Sequence, residues 1–315
     1  MRGVFRISRS ACTEVALVVV EISEEGVVGR GECRPYVRYG ETPEGVASNI
    51  KAIIPALEAG MERDELNAKF RPGAVRNAID CALWDLSSKR AGQPVWQLAR
   101  LPAPTSLTTA YTLSVDTPAN LAHTARSEAW RPLLKLKLQG AGDLDRVVAV
   151  RRNAPNARLI VDANEAWTAD DYQILSPELA RLGVEMLEQP FPSGCDHWLA
   201  TLGRPLPVCA DESCHAAASL MELAGLYDVV NIKLDKTGGL TEALRMKSLA
   251  EASGFKVMVG CMVATSLSMA PAFLLAQGAS YVDIDGPLLL QNDRQPGLRY
   301  EGSRVFPPSA ELWGG

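Results

Sequence analysis

Lys137, Asp162, Glu188, Asp211 and Lys233 recur at intervals of 25, 26, 23 and 22 residues, by subtraction of their positions. Each closes a short apolar run: LLKLK, LIVD, EMLE, PVCAD and VVNIK. Such an interval holds one strand and one helix, so the five residues end successive strands of a parallel β/α structure. Taken alone, each carboxylate reads as a strand-end residue capping the next helix. Three of them in sequence, with no histidine or thiolate partner, describe instead a site for a hard cation. Mg²⁺ suits such a site because it keeps positions open for substrate oxygens. His123, His197 and His215 do not have zinc-site spacing, and no H-E-x-x-H occurs.

The lysines add the second half of the chemistry. In LLKLKLQG, Lys135 and Lys137 alternate with leucines and therefore share one face of their strand, and Lys233 has the same inward placement. Burial beside a cation and a second ammonium favours a neutral lysine, which makes it a base near neutral pH. Lys135 is expected to depress Lys137 by like-charge repulsion, whereas Lys236 reads as a loop charge. Two lysines on opposite walls can remove a proton α to a carboxylate and return one from the far face. A cation between them would hold the enolate charge. Asp283 and Asp285 in YVDIDGP lie two apart on one strand face and read either as a turn pair or as acceptors for a substrate ammonium.

The elements that must position these residues are legible as runs. Leu107–Leu113, Leu133–Leu138, Arg158–Ala163, Val184–Glu188, Val208–Asp211, Val229–Leu234, Lys256–Cys261 and Tyr281–Asp285 read as eight strands. Helical stretches at Leu144–Arg152, Ala169–Leu182 and Leu240–Ser253 fall between them. The fold class is α/β, a (β/α)7β-type TIM barrel over 105–286, with active residues at the C-terminal rim. About 180 residues is short for this barrel, so some βα units must be reduced. A doubly wound sheet is disfavoured, since the G-R-G at Gly31 lacks a third glycine. On the barrel, Lys137 ends strand two and Lys233 strand six, diametrically opposed, with the carboxylates on the arc between.

Residues 1–104 have another grammar. Ala16–Glu21 and Gly26–Glu32 read as an antiparallel hairpin, and helices follow at Thr42–Leu57 and Ala74–Arg90. This is an α+β capping domain, to which the tail 287–315 is expected to contribute. The chain has 315 residues, 47% hydrophobic and 22% charged, with net charge −5. That balance argues against nucleic acid and anionic membrane as partners. Seven cysteines without C-x-x-C spacing read as reduced core residues, and neither a signal peptide nor a membrane span is apparent. The expected compartment is the cytoplasm.

Through GECRPYVRYGE, KLKL, VDANE, EQPFP, ADES, NIKLDKTGGLTEAL, GCM and DIDGP, the chain resembles the enolase superfamily, specifically its dipeptide epimerases of the L-Ala-D/L-Glu type. Pairing of a lysine base with Mg²⁺ is an attribute of that superfamily. The resemblance implies one Mg²⁺ per subunit on Asp162, Glu188 and Asp211. It implies acid/base roles for Lys137 and Lys233, with Lys135 in support, and Asn164 and Glu212 behind the ligands. Asp283 and Asp285 match the pair that binds the dipeptide's ammonium, and Arg9 the loop arginine that meets a glutamyl side-chain carboxylate. Tyr36, Arg38 and Tyr39 fall in the second capping loop. The implied function is isomerisation of L-Ala-D/L-Glu from murein peptides, in an enzyme whose relatives often form homo-oligomers. Relatives carry another strand before the segment matching Phe5–Arg9, so the expectation is either a capping sheet without its first strand or a start further upstream. An o-succinylbenzoate synthase or muconate-type cycloisomerase shares the lysines and triad, but an ammonium receptor would repel a dicarboxylate. A non-catalytic ligand-binding barrel would lack a ligand or base, and a Schiff-base aldolase needs no triad.

Overall fold

The computed structural model describes residues 1–315. β1 (Phe5–Ile7) and β2 (Ser10–Cys12) pair only with each other. β3 (Val18–Glu24) and β4 (Val27–Cys33) form the second hairpin, turning at Glu25 and Gly26, both with positive φ as a tight primed turn requires. α1 (Pro43–Glu58) starts with Pro43 in its first turn, and Thr42 Oγ1 accepts from Gly45 N at 3.1 Å. α2 (Arg63–Lys69), α3 (Ala74–Ala91) and α4 (Val95–Leu98) complete the N-terminal layer.

α3 is buried on two faces. One lies on β4 at Gly29 and Gly31, where a Cβ would stand 2.3 Å from Ala82 O and 2.1 Å from Ala78 O. The glycines of G-R-G therefore allow a helix to touch a strand. The opposite face carries Arg76, whose guanidinium donates to Thr237 O at 2.5 Å and Gly238 O at 3.0 Å, and Asp80, which accepts from Thr241. The capping layer is thus fastened to the helical segment 234–252 that follows Lys233.

After β5 (Leu107–Thr108), the barrel begins with β6 (Tyr111–Leu113) and runs through α5 (Pro118–Ser127), β7 (Leu133–Lys137), α6 (Asp143–Asn153), β8 (Arg158–Asp162), α7 (Ala169–Arg181), β9 (Val184–Glu188) and β10 (Val208–Ala210). It continues with α8 (Leu220–Leu223), β11 (Val229–Ile232), α9 (Leu234–Thr237), α10 (Leu240–Ala252), β12 (Lys256–Gly260), α11 (Ser266–Leu275) and β13 (Tyr281–Asp283). Strands β6 to β13 hydrogen-bond in chain order, all parallel. The seam between first and last is closed by Ala110 N donating to Val282 O at 2.8 Å and Thr112 N to Asp285 Oδ2 at 2.6 Å.

Two expectations are refined. The run Leu107–Leu113 is two elements: Leu107–Thr108 leaves the barrel to pair with β15 (Arg304–Val305), which also holds β14 (Tyr300–Glu301). The break falls at Thr109 and Ala110, whose backbone and hydroxyl groups serve the barrel seam instead. The shortness of the barrel is met by reduced units: a 3₁₀ turn, Asp196–Ala200, replaces a helix after β9, and α8 has four residues. The tail, after α12 (Gly286–Leu289), returns to the N-terminal layer, where Trp313 Nε1 donates to Cys81 O at 3.0 Å.

The barrel floor is an apolar ring with one residue from each strand or its approach: Ala110, Leu133, Ile160, Met186, Cys209, Val229, Met258 and Tyr281. Because strand side chains alternate with period two, the residue two positions on from each also points inward. That second ring is Thr112, Lys135, Asp162, Glu188, Asp211, Asn231, Gly260 and Asp283, and all eight are buried. Lys137, Lys233 and Asp285 follow two positions later.

Candidate active site

Asp162, Glu188 and Asp211 offer one carboxylate oxygen each, and these oxygens lie within 4.8 Å of one another. Three such hard donors at this separation form a site that can hold a metal ion. Lys137 Nζ donates to Asp162 Oδ2 at 2.6 Å from one side, and Lys233 Nζ to Asp211 Oδ2 at 2.6 Å from the other. Lys135 Nζ sits within the ring, 2.8 Å from Asp283 Oδ2, 2.6 Å from Glu188 Oε2 and 3.3 Å from Asp162 Oδ2. Its approach to Glu188 has ion-pair distance without hydrogen-bond direction, so Glu188 Oε2 is a buried oxygen with no hydrogen-bond partner. A buried carboxylate oxygen held by charge alone, with no directed hydrogen bond, can turn to an oxygen-binding cation.

The carboxylates of the ring bear directly on the charge of its lysines. Burial works against the ammonium of Lys135, but Asp283, Glu188 and Asp162 outweigh it and hold its pKa well above the ordinary lysine value. Lys233 is likewise held well above, because Asp211 and Glu188 outweigh burial and the charge of Lys135. The carboxylates of the ring thus favour the ammonium forms of Lys135 and Lys233; the expected neutral form belongs to a ring whose carboxylate charge a cation offsets. Burial pushes Asp211 up, yet Lys233 and Lys236 bring it well below the usual carboxylate range. Glu188 is the exception, raised to about 7 by burial and then by Asp162.

Lys236 is corrected. It is fully buried, not a loop charge, and its Nζ donates to Asp211 Oδ1 at 2.6 Å, Asp211 O at 2.5 Å and Asn231 O at 3.0 Å. The signal available in sequence was its place one helical turn after Lys233. Sequence reasoning also missed Asn231 and Gln189. Asn231 Nδ2 donates to Glu188 Oε1 at 2.8 Å, and Gln189 Oε1 accepts from Asp211 N at 2.9 Å. Asn231 faces inward and reaches Glu188 across β10, whereas Gln189, just after β9, holds the backbone that carries Asp211.

The N-terminal layer covers the barrel mouth. A cleft is lined by Phe5, Ile7 and Arg9 from the first hairpin, Arg34, Tyr36 and Tyr39 from the second loop, and Lys137, Lys233, Asn164 and Glu212 from the rim. Asn164 donates from its backbone to Asp162 Oδ1 at 2.8 Å and from Nδ2 to Glu212 Oε1 at 3.3 Å, behind the triad. Arg9 reaches the cleft but is engaged, 2.6 Å from Glu212 Oε1 and 2.9 Å from Asn164 O. Arg38 turns away to grip Glu165 with two hydrogen bonds, at 2.9 and 2.7 Å. Tyr39 packs edge-on against His215. Asp283 and Asp285 are buried, at 5% and 3% exposure. Asp283 is tied to Lys135 with Oδ1 buried and unpartnered, and Asp285, raised to about 7 by burial and then Asp283, closes the barrel seam.

Residues 119–311 match the family described as enolase C-terminal domain-like, and residues 1–99 match the mandelate racemase/muconate lactonizing enzyme N-terminal domain. The chain is 46% identical over 298 residues to the L-Ala-D/L-Glu epimerase of Escherichia coli K12, covering 94% of this chain and 93% of that one. An enolase-family crystal structure from Agrobacterium tumefaciens, with homology to dipeptide epimerases and bound sodium and L-Ala-L-Glu, superposes with a TM-score of 0.97 at 50% identity. That match covers 99% of this chain and 96% of the other. The dipeptide epimerase of Enterococcus faecalis V583, complexed with Mg and L-Leu-L-Tyr, superposes at 0.90 with 30% identity over 99% of this chain and 94% of that one.

Proposed function

The chain belongs to the enolase superfamily and is an isomerase of the dipeptide epimerase type, and from that premise we propose that it interconverts L-Ala-L-Glu and L-Ala-D-Glu with Mg²⁺ on Asp162, Glu188 and Asp211. The observation that carries this reading is the flanking of the three carboxylates by Lys137 and Lys233 from opposite barrel walls.

Bound there, a divalent cation would offset the carboxylate charge that favours the lysine ammonium forms and stabilise negative charge developing on the substrate carboxylate. The rest is work for side chains of this chain. One lysine, as the amine, takes the α-proton of the C-terminal residue and becomes an ammonium. The opposite lysine, as the ammonium, delivers a proton to the far face and becomes the amine. The product is the epimer, and the two lysines have exchanged protonation states. Lys135 stays cationic between Asp283, Glu188 and Asp162, fixing the ring's geometry. Asp283 and Asp285 receive the dipeptide's ammonium, Asp283 through its free Oδ1. Arg9, Tyr36 and Tyr39 hold water out of the mouth, and Arg9 could meet an acidic side chain only by sharing its bond to Glu212. We assign 105–286 to catalysis and 1–104, with 287–315, to the cap.

The reading suits a dipeptide released from murein. No helix is long and apolar enough to cross a membrane. Incubation of the Mg²⁺-loaded protein with L-Ala-L-Glu in D₂O should place deuterium at the glutamyl α-carbon as the epimers equilibrate, read by mass. Absence of exchange with any dipeptide rejects the proposal.

A further inference from the structure

Three arginines reach the covering layer of the cleft, and two of them are already paired. Arg9 lies 2.6 Å from Glu212 Oε1 and 3.4 Å from Glu165 Oε2. Arg38 grips Glu165 at 2.7 Å. Arg34 differs. It lines the same cleft as Tyr36 and Lys233, yet it makes no ion pair with any carboxylate of the chain. Its one guanidinium hydrogen bond is from Nη1 to Val263 O at 3.3 Å, and Tyr36 lies 5.8 Å from its Cζ. The nearby acid Asp235 accepts from Arg34 N, at 3.1 Å, and from Asn77 Nδ2, at 2.7 Å, so it holds the backbone rather than the charge.

A half-buried guanidinium with most of its five donors unspent, anchored by its own backbone and turned to a substrate cleft, is a receptor for a planar anion. Recruiting Arg9 for that purpose would require it to share or release Glu212, which is itself 2% exposed and would then be a buried charge without its cation. Recruiting Arg34 breaks no ion pair.

We propose that Arg34 is a specificity-determining residue of this enzyme, binding the side-chain carboxylate of the dipeptide's C-terminal residue and selecting acidic over neutral side chains. The inference rests on the epimerase reading and deepens it. Glutamate and glutamine are nearly isosteric, so a preference between them isolates the charge.

The test compares kcat/KM for L-Ala-L-Glu and L-Ala-L-Gln in wild type, Arg34→Gln, Arg34→Lys and Arg9→Gln. Arg34→Gln should reduce the Glu/Gln ratio by about ten- to a hundredfold, the span of one charged hydrogen bond. The loss should fall on KM for L-Ala-L-Glu, with kcat for L-Ala-L-Gln retained, and Arg34→Lys should restore part of the ratio. A similar loss of ratio in Arg9→Gln as well supports a shared clamp that includes Arg34. An unchanged ratio in Arg34→Gln, or a loss confined to Arg9→Gln, overturns the proposal. A wild type that exchanges no α-proton with either dipeptide fails the parent reading instead, a different result from an active enzyme indifferent to Arg34.

Discussion

Asn231 Nδ2 donates to Glu188 Oε1 at 2.8 Å across the intervening strand β10. This bond fixes the rotation of the one triad carboxylate that no lysine grips with a directed hydrogen bond, leaving Oε2 with only its ion pair to Lys135. Space for the amide comes from Gly260, where a Cβ would stand 2.5 Å from Asn231 Oδ1.

Asn231→Leu should therefore weaken divalent-cation binding by about 10–100-fold, the usual effect of removing a group that orients a ligand. Titration calorimetry with Mg²⁺ on folded variant and wild type would measure it. Equal affinities would show that Glu188 needs no such support.

Lys137→Ala and Lys233→Ala should each lower epimerisation by about 10²–10⁴-fold, the contribution of one positioned base. Each variant keeps the opposite lysine, so each should still exchange the α-proton of a single enantiomer, a different one in the two variants. Chiral chromatography with mass detection in D₂O distinguishes the cases. Normal epimerisation by both variants would falsify the two-base assignment.

Asp235 gives the fold a pH dependence outside the metal triad. Burial raises its pKa from 3.8 to about 7, against hydrogen bonds from Asn77 and Arg34 N. A carboxyl group raised in the folded state contributes stability in full below the unfolded value, and loses it as pH climbs through the folded one. Stability to urea should thus decline between about pH 4 and pH 7. Asp235→Asn, which keeps an acceptor for both donors, should flatten that decline and be more stable than wild type at pH 8.

Gly31→Ala should destabilise the capping layer, because the added Cβ would lie 2.1 Å from Ala78 O of α3, a backbone atom that cannot rotate away. Overpacking of this kind costs about 1–3 kcal/mol or more. Thermal unfolding would show the loss, and an exposed glycine such as Gly203, with nothing within 4 Å, serves as the control.

Much of the active ring was written in the order of residues. Strand side chains alternate, so once Leu133, Ile160, Met186 and Cys209 form the floor, Lys135, Asp162, Glu188 and Asp211 must form the ring above them. The interval of one βα unit then sets them on neighbouring walls, with Lys137 and Lys233 across from each other. What depends on contacts between distant segments was not written there. Lys236 read as solvated until α9 turned it onto Asp211, and Asn231 read as a strand residue until barrel closure brought Glu188 within reach. G-R-G resembled a fragment of a nucleotide loop until α3 came to rest on Gly29 and Gly31. The protonation preference of Lys135 and Lys233 belongs here too, since it is the sum of charges contributed by six strands, and no spacing along one chain reports a sum over space. Sequence determined which side chains face the barrel axis, because that follows from local periodicity; the tertiary structure decided which of them pair and which, like Arg34, are left without a partner.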